Sequence, residues 1–199
     1  MLRIGLTGGI AAGKSTASAR FAELGAVVVD HDHLARRAVA PGSAGLVEIA
    51  RAFGDRAVRE GALDRAALAA IVFSDPVARA QLDAIVHPYV FAMARAADKA
   101  ARADGASVVV HDIPLLVEAA SDHDYDLVVA IAADESTRQN RLVTSRGMSL
   151  ADARARIASQ ASDGERAALA DAVLDGNGSA DELRAQVDEF WNLTVPSAP

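Results

Sequence analysis

Lysine is almost absent from this chain, at positions 14 and 99 only. Lys14 stands in Gly8-Gly9-Ile10-Ala11-Ala12-Gly13-Lys14-Ser15, with Thr16 next. This is G-x-x-x-x-G-K-[ST], a phosphate-binding loop. The glycines let the backbone turn tightly, so that its N–H groups point at anionic oxygens. The lysine reaches the β- and γ-phosphates, and the Ser15 hydroxyl suits Mg²⁺. The helix that opens here adds its positive end. The candidate phosphate contacts are therefore Gly8, Gly9, Ala11, Ala12, Gly13, Lys14, Ser15 and Thr16.

Three further groups could act on a triphosphate. Asp30-His31-Asp32 follows a β-branched run, Ala26 to Val29. A carboxylate there either accepts the proton of an attacking hydroxyl or caps the next helix; His31 reads as a bystander. Asp112 ends the run Ser107 to His111, where P-loop proteins keep a carboxylate for Mg²⁺, and it could equally cap a helix at Pro114. Arg138, Arg141 and Arg146 form the third group. Arg138 and Arg141 share a helix face, and planar guanidinium forks suit the charge of a transferring phosphoryl group. They read either as a closing lid or as a solvated, salt-bridged face. Pro88 of His87-Pro88 fits the first turn of a helix from Tyr89 to Ala103, with His87 near its cap.

The elements that position these groups are short apolar strands and helices. Leu2 to Thr7, Ala26 to Asp30, Ser107 to Asp112, Asp126 to Ile131 and Asp171 to Asp175 predict five strands buried on both faces of a parallel sheet. Ser15 to Leu24 predicts the helix after the loop, stopped by Gly25. The reading is an α/β, three-layer αβα P-loop fold with a five-stranded parallel sheet. Its core covers about 1–33, 105–134 and 170–193. Residues 34–104 predict a helical substrate-binding insertion, far longer than one crossover needs, and 135–169 an arginine-rich helical pair acting as a lid.

Composition narrows the partners. A net charge of −7 argues against a nucleic-acid partner, while a local pocket can still be positive. With no cysteine there is no disulfide, thiolate metal site or cysteine nucleophile. The sequence has no apolar run of the roughly 18 residues that a membrane span needs, and no signal-peptide pattern at its start. It reads as a cytoplasmic monomer.

The motifs together resemble the dephospho-CoA kinase family over essentially the full chain. Ile4 to Ile10 with Gly13-Lys14-Ser15-Thr16 looks like that family's opening. Val29-Asp30-His31-Asp32 with Leu34-Ala35-Arg36 looks like its second motif. Ile85-Val86-His87-Pro88, Asp112-Ile113-Pro114-Leu115-Leu116-Val117-Glu118, Gln160-Ala161 and Asp175-Gly176-Asn177-Gly178 follow in order. The resemblance implies transfer of the ATP γ-phosphoryl, with Mg²⁺, to the ribose 3′-hydroxyl of dephospho-CoA. It implies Lys14 on phosphate, Asp32 as base, Arg141 in the lid with Arg138 and Arg146, and Ser15 and Asp112 toward the metal. It also implies His87, Leu115 and Glu118 toward the substrate and Asn177 toward adenine. The rival readings are a nucleoside monophosphate-type kinase and a nucleotide-dependent switch. The guanine-reading Asn/Thr-Lys-x-Asp of such switches is absent here. Three residues depart from the family pattern. Ala11 replaces a glycine, so a negative φ is expected there; His31 replaces a small residue; Gly176 replaces an asparagine.

Overall fold

The computed structural model describes residues 1–114, 116, 117 and 125–195. In chain order the elements are β1 (Leu2–Gly8), α1 (Lys14–Glu23), β2 (Val27–Asp30), α2 (His31–Ala38) and α3 (Ala44–Phe53). A short hairpin, β3 (Val58–Arg59) and β4 (Ala62–Leu63), precedes α4 (Arg65–Ser74) and α5 (Pro76–Ala103). Then come β5 (Val108–Asp112), β6 (Leu127–Ala132), α6 (Glu135–Arg146), α7 (Leu150–Ala158), α8 (Asp163–Leu169), β7 (Ala172–Asp175) and α9 (Ala180–Thr194). The chain divides into two compact units, Met1–Asp30 with Ala101–Pro199, and His31–Ala100.

The first unit is built on a five-stranded sheet in the order β2-β5-β1-β6-β7. All four pairings are parallel. Alternate residues explain why the strands are apolar throughout. Ile4, Leu6, Val108, Val110, Val129 and Ile131 face α1 and α9 in one core. There the Phe21 ring meets Phe190 edge-on at 6.0 Å, and each fully buried ring of this kind contributes about 1.5–3 kcal/mol. Thr7, Val109 and His111 point to the other face and are equally buried. Gly5 is needed on that face, because a β-carbon would lie 2.9 Å from the Tyr125 ring. The register sets Leu6 and Asp30 both opposite Asp112. The strands' carboxyl ends thus share one edge, where the loop of residues 9–13 begins.

The helical unit holds α2 to α5 around Leu34, Leu46, Ile49, Phe53, Leu68 and Val90. Two sequence expectations fail here. The helical pattern of 34–104 breaks at Gly54 and Gly61 but predicts no strands there; β3 and β4 pair as a hairpin that turns at Glu60 and Gly61, with φ of 52° and 76°. Pro88 lies inside the 28-residue α5, not at a helix start. Proline in a helix interior costs about 3 kcal/mol. Buried Ala78 before it, and buried Val90 and Ala94 after it, hold α5 continuous across it. In the first unit, the expected helical pair of 135–169 is three helices. The third, α8, is fixed by a capping box in which Ser162 and Glu165 satisfy each other's backbone donors.

Candidate active site

Strand β1 delivers the chain to the loop, and α1 takes it away. Gly13 is the N-cap residue of α1, with φ 117°, a conformation that favours glycine. A β-carbon on Gly13 would lie 2.8 Å from the Leu183 side chain. The Ala12 amide donates to Gly9 O at 3.0 Å and closes the loop. Among the described residues, the amides of Ala11, Gly13, Lys14 and Ser15 have no acceptor. No side chain caps α1 and no acidic residue lies in its first turn. Four free donors at the positive end of a helix make an anion site. Ala11 departs from expectation: its φ is 62°, in the left-handed region. This is offset by packing of its methyl against the buried cluster of Leu142, Ala153 and Ile157.

The Lys14 ammonium pairs with Asp112 Oδ1, both side chains being mostly buried. Asp112 is thereby engaged with the lysine, and the described residues 113, 114, 116 and 117 are not helical. Ser15 and Thr16 line a cleft of about 310 Å³ whose other walls include Arg141, Arg146 and the Gly176–Ala180 turn. Arg141 is not aimed into solvent. Its Nη1 donates to the carbonyls of Ala11 and Ala12 at 3.2 and 3.4 Å, and its Nη2 to those of Asn177 and Gly178 at 3.4 and 2.9 Å. It ties the phosphate loop to the turn before α9. The loop's carbonyls therefore face the arginine, which leaves its amides for an anion. Arg138 is buried and bound to Asp163 at 3.0 Å. The solvated face with Glu135 or Asp152 is thus not the arrangement it adopts. Arg146 is exposed at the mouth of the cleft.

In the turn at 175–178 the Asn177 side chain accepts from the Asp134 amide and donates to Asp175, both at 2.8 Å, so it holds the turn. Gly176 is required by space: a β-carbon would overlap the Ala12 carbonyl oxygen. The missing asparagine side chain is the condition for this close approach. Gln160, which the sequence marks only as part of Gln160-Ala161, is a further residue of the site. Its Oε1 accepts from the Ile10 amide at 2.8 Å and binds the loop from the α7–α8 connection.

In the helical unit, Asp32 lies exposed in the first turn of α2, one residue past the buried His31. It is on the wall of a cavity of about 430 Å³, together with Arg36, Arg65, Ile49, Leu68 and Val86. The wall is apolar with a few charges, the usual character of a small-molecule site. His87 lies outside that lining; its ring packs on Phe91 at 5.7 Å and faces Asp83 at 4.0 Å. Leu115 and Glu118 lie outside the described residues.

A parallel sheet with a glycine-rich anion loop at its carboxyl edge, a buried lysine–aspartate pair and arginine-bearing helices over the loop define a P-loop protein of the small-molecule kinase type. The family model described as dephospho-CoA kinase matches residues 2–182, and the chain belongs to that family. It is 51% identical over 193 residues to the dephospho-CoA kinase of Leifsonia xyli, covering 96% of this chain and 98% of that one. It is 53% identical over 196 residues to that of Mycolicibacterium paratuberculosis, but spans only 48% of that relative's length. A Thermus thermophilus crystal structure superposes with a TM-score of 0.82 at 34% identity, over 97% of this chain and 98% of that one.

Proposed function

We propose that the protein transfers the terminal phosphoryl group of ATP to the ribose 3′-hydroxyl of dephospho-CoA, giving coenzyme A and ADP. The observation that carries the donor half is the set of four acceptor-free loop amides beside Lys14. These groups bind the triphosphate, and Lys14 leaves Asp112 for the β- and γ-oxygens when it arrives. The site fits Mg²⁺: Ser15 offers an exposed hydroxyl, and Lys14's departure frees the Asp112 carboxylate. Ser15 and Asp112 are the residues that would hold it. Bound there, Mg²⁺ neutralises charge on the β- and γ-phosphates.

Asp32 acts as the base, holding the proton of the acceptor hydroxyl as the oxygen attacks phosphorus in line. Its support is its place on the helix that follows β2 directly and on the wall of the apolar cavity, which we assign to the pantetheine end of the acceptor. Residues 34–104 serve as the acceptor-binding insertion and 135–169 as the lid. Arg141 holds loop and lid together as charge moves, with Arg146 at the cleft mouth. His87 lies on α5 of this insertion, outside the cavity lining. Both substrates are small and soluble, and among the described residues no helix is long and apolar enough to cross a membrane. We place the protein in the cytoplasm as a monomer.

The test is a coupled assay of ADP release against dephospho-CoA, AMP and shikimate, with the product's 3′-phosphate identified by mass spectrometry. Turnover with dephospho-CoA alone is expected; preference for AMP would transfer the protein to the nucleoside monophosphate kinases. Asp32→Asn is expected to lower kcat about 10²- to 10⁴-fold, the range for loss of a general base. An unchanged rate would remove Asp32 from that role.

A further inference from the structure

Arg166 on α8 is 1% exposed and heads the fully buried side chains by volume. A buried arginine on a short and otherwise exposed helix needs a reason. Its Nη1 donates to Asp163 Oδ1 at 3.3 Å, and the other oxygen of the same carboxylate accepts from Arg138 Nη2 at 3.0 Å. One carboxylate thus joins two guanidinium groups from two helices. Both arginines meet at the phosphate loop. A β-carbon on Gly9 would overlap Arg138 Nη1 and would lie 3.3 Å from Arg166 Nη1. The φ of Gly9 is not in the left-handed region, so what a β-carbon there would meet is the guanidinium, which it would displace. The Nε of Arg138 is buried and has no hydrogen-bond partner among the described residues.

We propose that Arg166 and Asp163 are positioning residues for phosphoryl transfer: they hold the Arg138 guanidinium beside Gly9, at the β1 end of the loop, where it contacts the phosphoryl group in flight. This rests on the donor binding at the loop as proposed above. A planar fork fixed before the reaction meets the charge on the equatorial oxygens without having to reorganise. Arg138 is then the group that touches the phosphoryl oxygens, and Arg166 acts through the carboxylate.

Calorimetric titration of the full chain with Mg-ADP, and with Mg-ADP plus aluminium fluoride as a planar mimic of the transferring group, reads this without the acceptor. Arg166→Met and Asp163→Asn are expected to weaken the fluoride complex at least tenfold and to leave ADP affinity within threefold. The Arg138→Met/Arg166→Met pair should lose no more than Arg138→Met alone, and Arg166→Lys should fall between wild type and Arg166→Met. Equal weakening of ADP and of the fluoride complex, additive losses, or no loss would overturn the proposal. If circular dichroism shows Arg166→Met unfolded, the isosteric Asp163→Asn decides. Acceptor identity is read separately, from coenzyme A formation by the wild type. A wild type inactive on dephospho-CoA that still gives this fluoride pattern would sink the functional reading and uphold this one.

Discussion

The two units build their cavities from different materials. At the phosphate loop the walls are backbone and charge, and tolerances are tight. Gly9, Gly13 and Gly176 each face an atom that a β-carbon would crowd or overlap, and Arg141 is spent on four carbonyls. In the helical unit the cavity is lined mainly by aliphatic side chains, with Asp32, Arg36 and Arg65 at its wall. Backbone donors and fixed charges discriminate between a ground state and a transition state in which charge has been redistributed, so they act on rate. Apolar surface does not distinguish the two, so it acts on binding. The loop, with Asp32, should therefore govern kcat, and the aliphatic lining of the helical cavity KM for the acceptor.

The sharpest way to break that division is Lys14→Ala. Removing a preorganised charge at the transferring group is expected to cost a hundredfold or more in kcat. Steady-state kinetics with both substrates varied would show it. A variant that lost only ATP affinity, with kcat intact, would place the lysine in ground-state binding. On the other side, Ala69→Trp is the matching test. Ala69 is exposed yet lines the helical cavity, so a large side chain there fills the space at little cost to folding. KM for dephospho-CoA is expected to rise about tenfold, the equivalent of 1.4 kcal/mol, with KM for ATP and kcat nearly unchanged.

What was legible in the sequence follows the same division. The loop, the five strands and Asp112 could be read because their signals are local: glycine spacing, β-branched runs, a carboxylate at a strand end. Contacts that depend on tertiary placement could not. Arg138 and Arg141 lie one turn apart on one helix, yet one is buried against Asp163 and the other spans two backbone turns. Arg166 lies on α8, whose other residues are largely exposed, and nothing in its spacing marks it as buried. Gly176 reads as a lost side chain until the Ala12 carbonyl is seen against it. Pro88 reads as a helix start because propensity is weaker than the packing on either side of it.

A smaller effect comes from the helix starts that frame the loop side. Glu165 and Glu182 each accept from the backbone amide and hydroxyl of a capping serine, and these bonds hold both carboxyls below the usual glutamate range. Because the folded-state pKa is depressed, this stabilisation is present at pH values above the unfolded glutamate's and is lost as pH falls through the folded value. Melts of wild type and Glu182→Gln should therefore differ slightly near neutrality and converge on acidification below about pH 4. A difference that persisted in acid would mean the glutamate's contribution is not one of charge.

The smallest effect is expected at Ala11, and there the opposing contributions can be weighed. An alanine in the left-handed region costs about 1–2 kcal/mol relative to glycine. Ala11→Gly relieves that. It also removes a methyl packed between the loop and the α6–α7 core, worth about 0.8 kcal/mol, and gives the unfolded chain freedom worth about 0.4–1 kcal/mol. The sum lies within about 1 kcal/mol of zero, so urea denaturation should move little. Ala11→Val keeps the strain and worsens it, because a β-branched residue fits the left-handed region badly; a clear loss of stability is expected. If Ala11→Gly instead destabilised by several kcal/mol, the methyl would be the main tie between the loop and the α6–α7 core, and the loop's geometry would rest on packing as much as on glycine and charge.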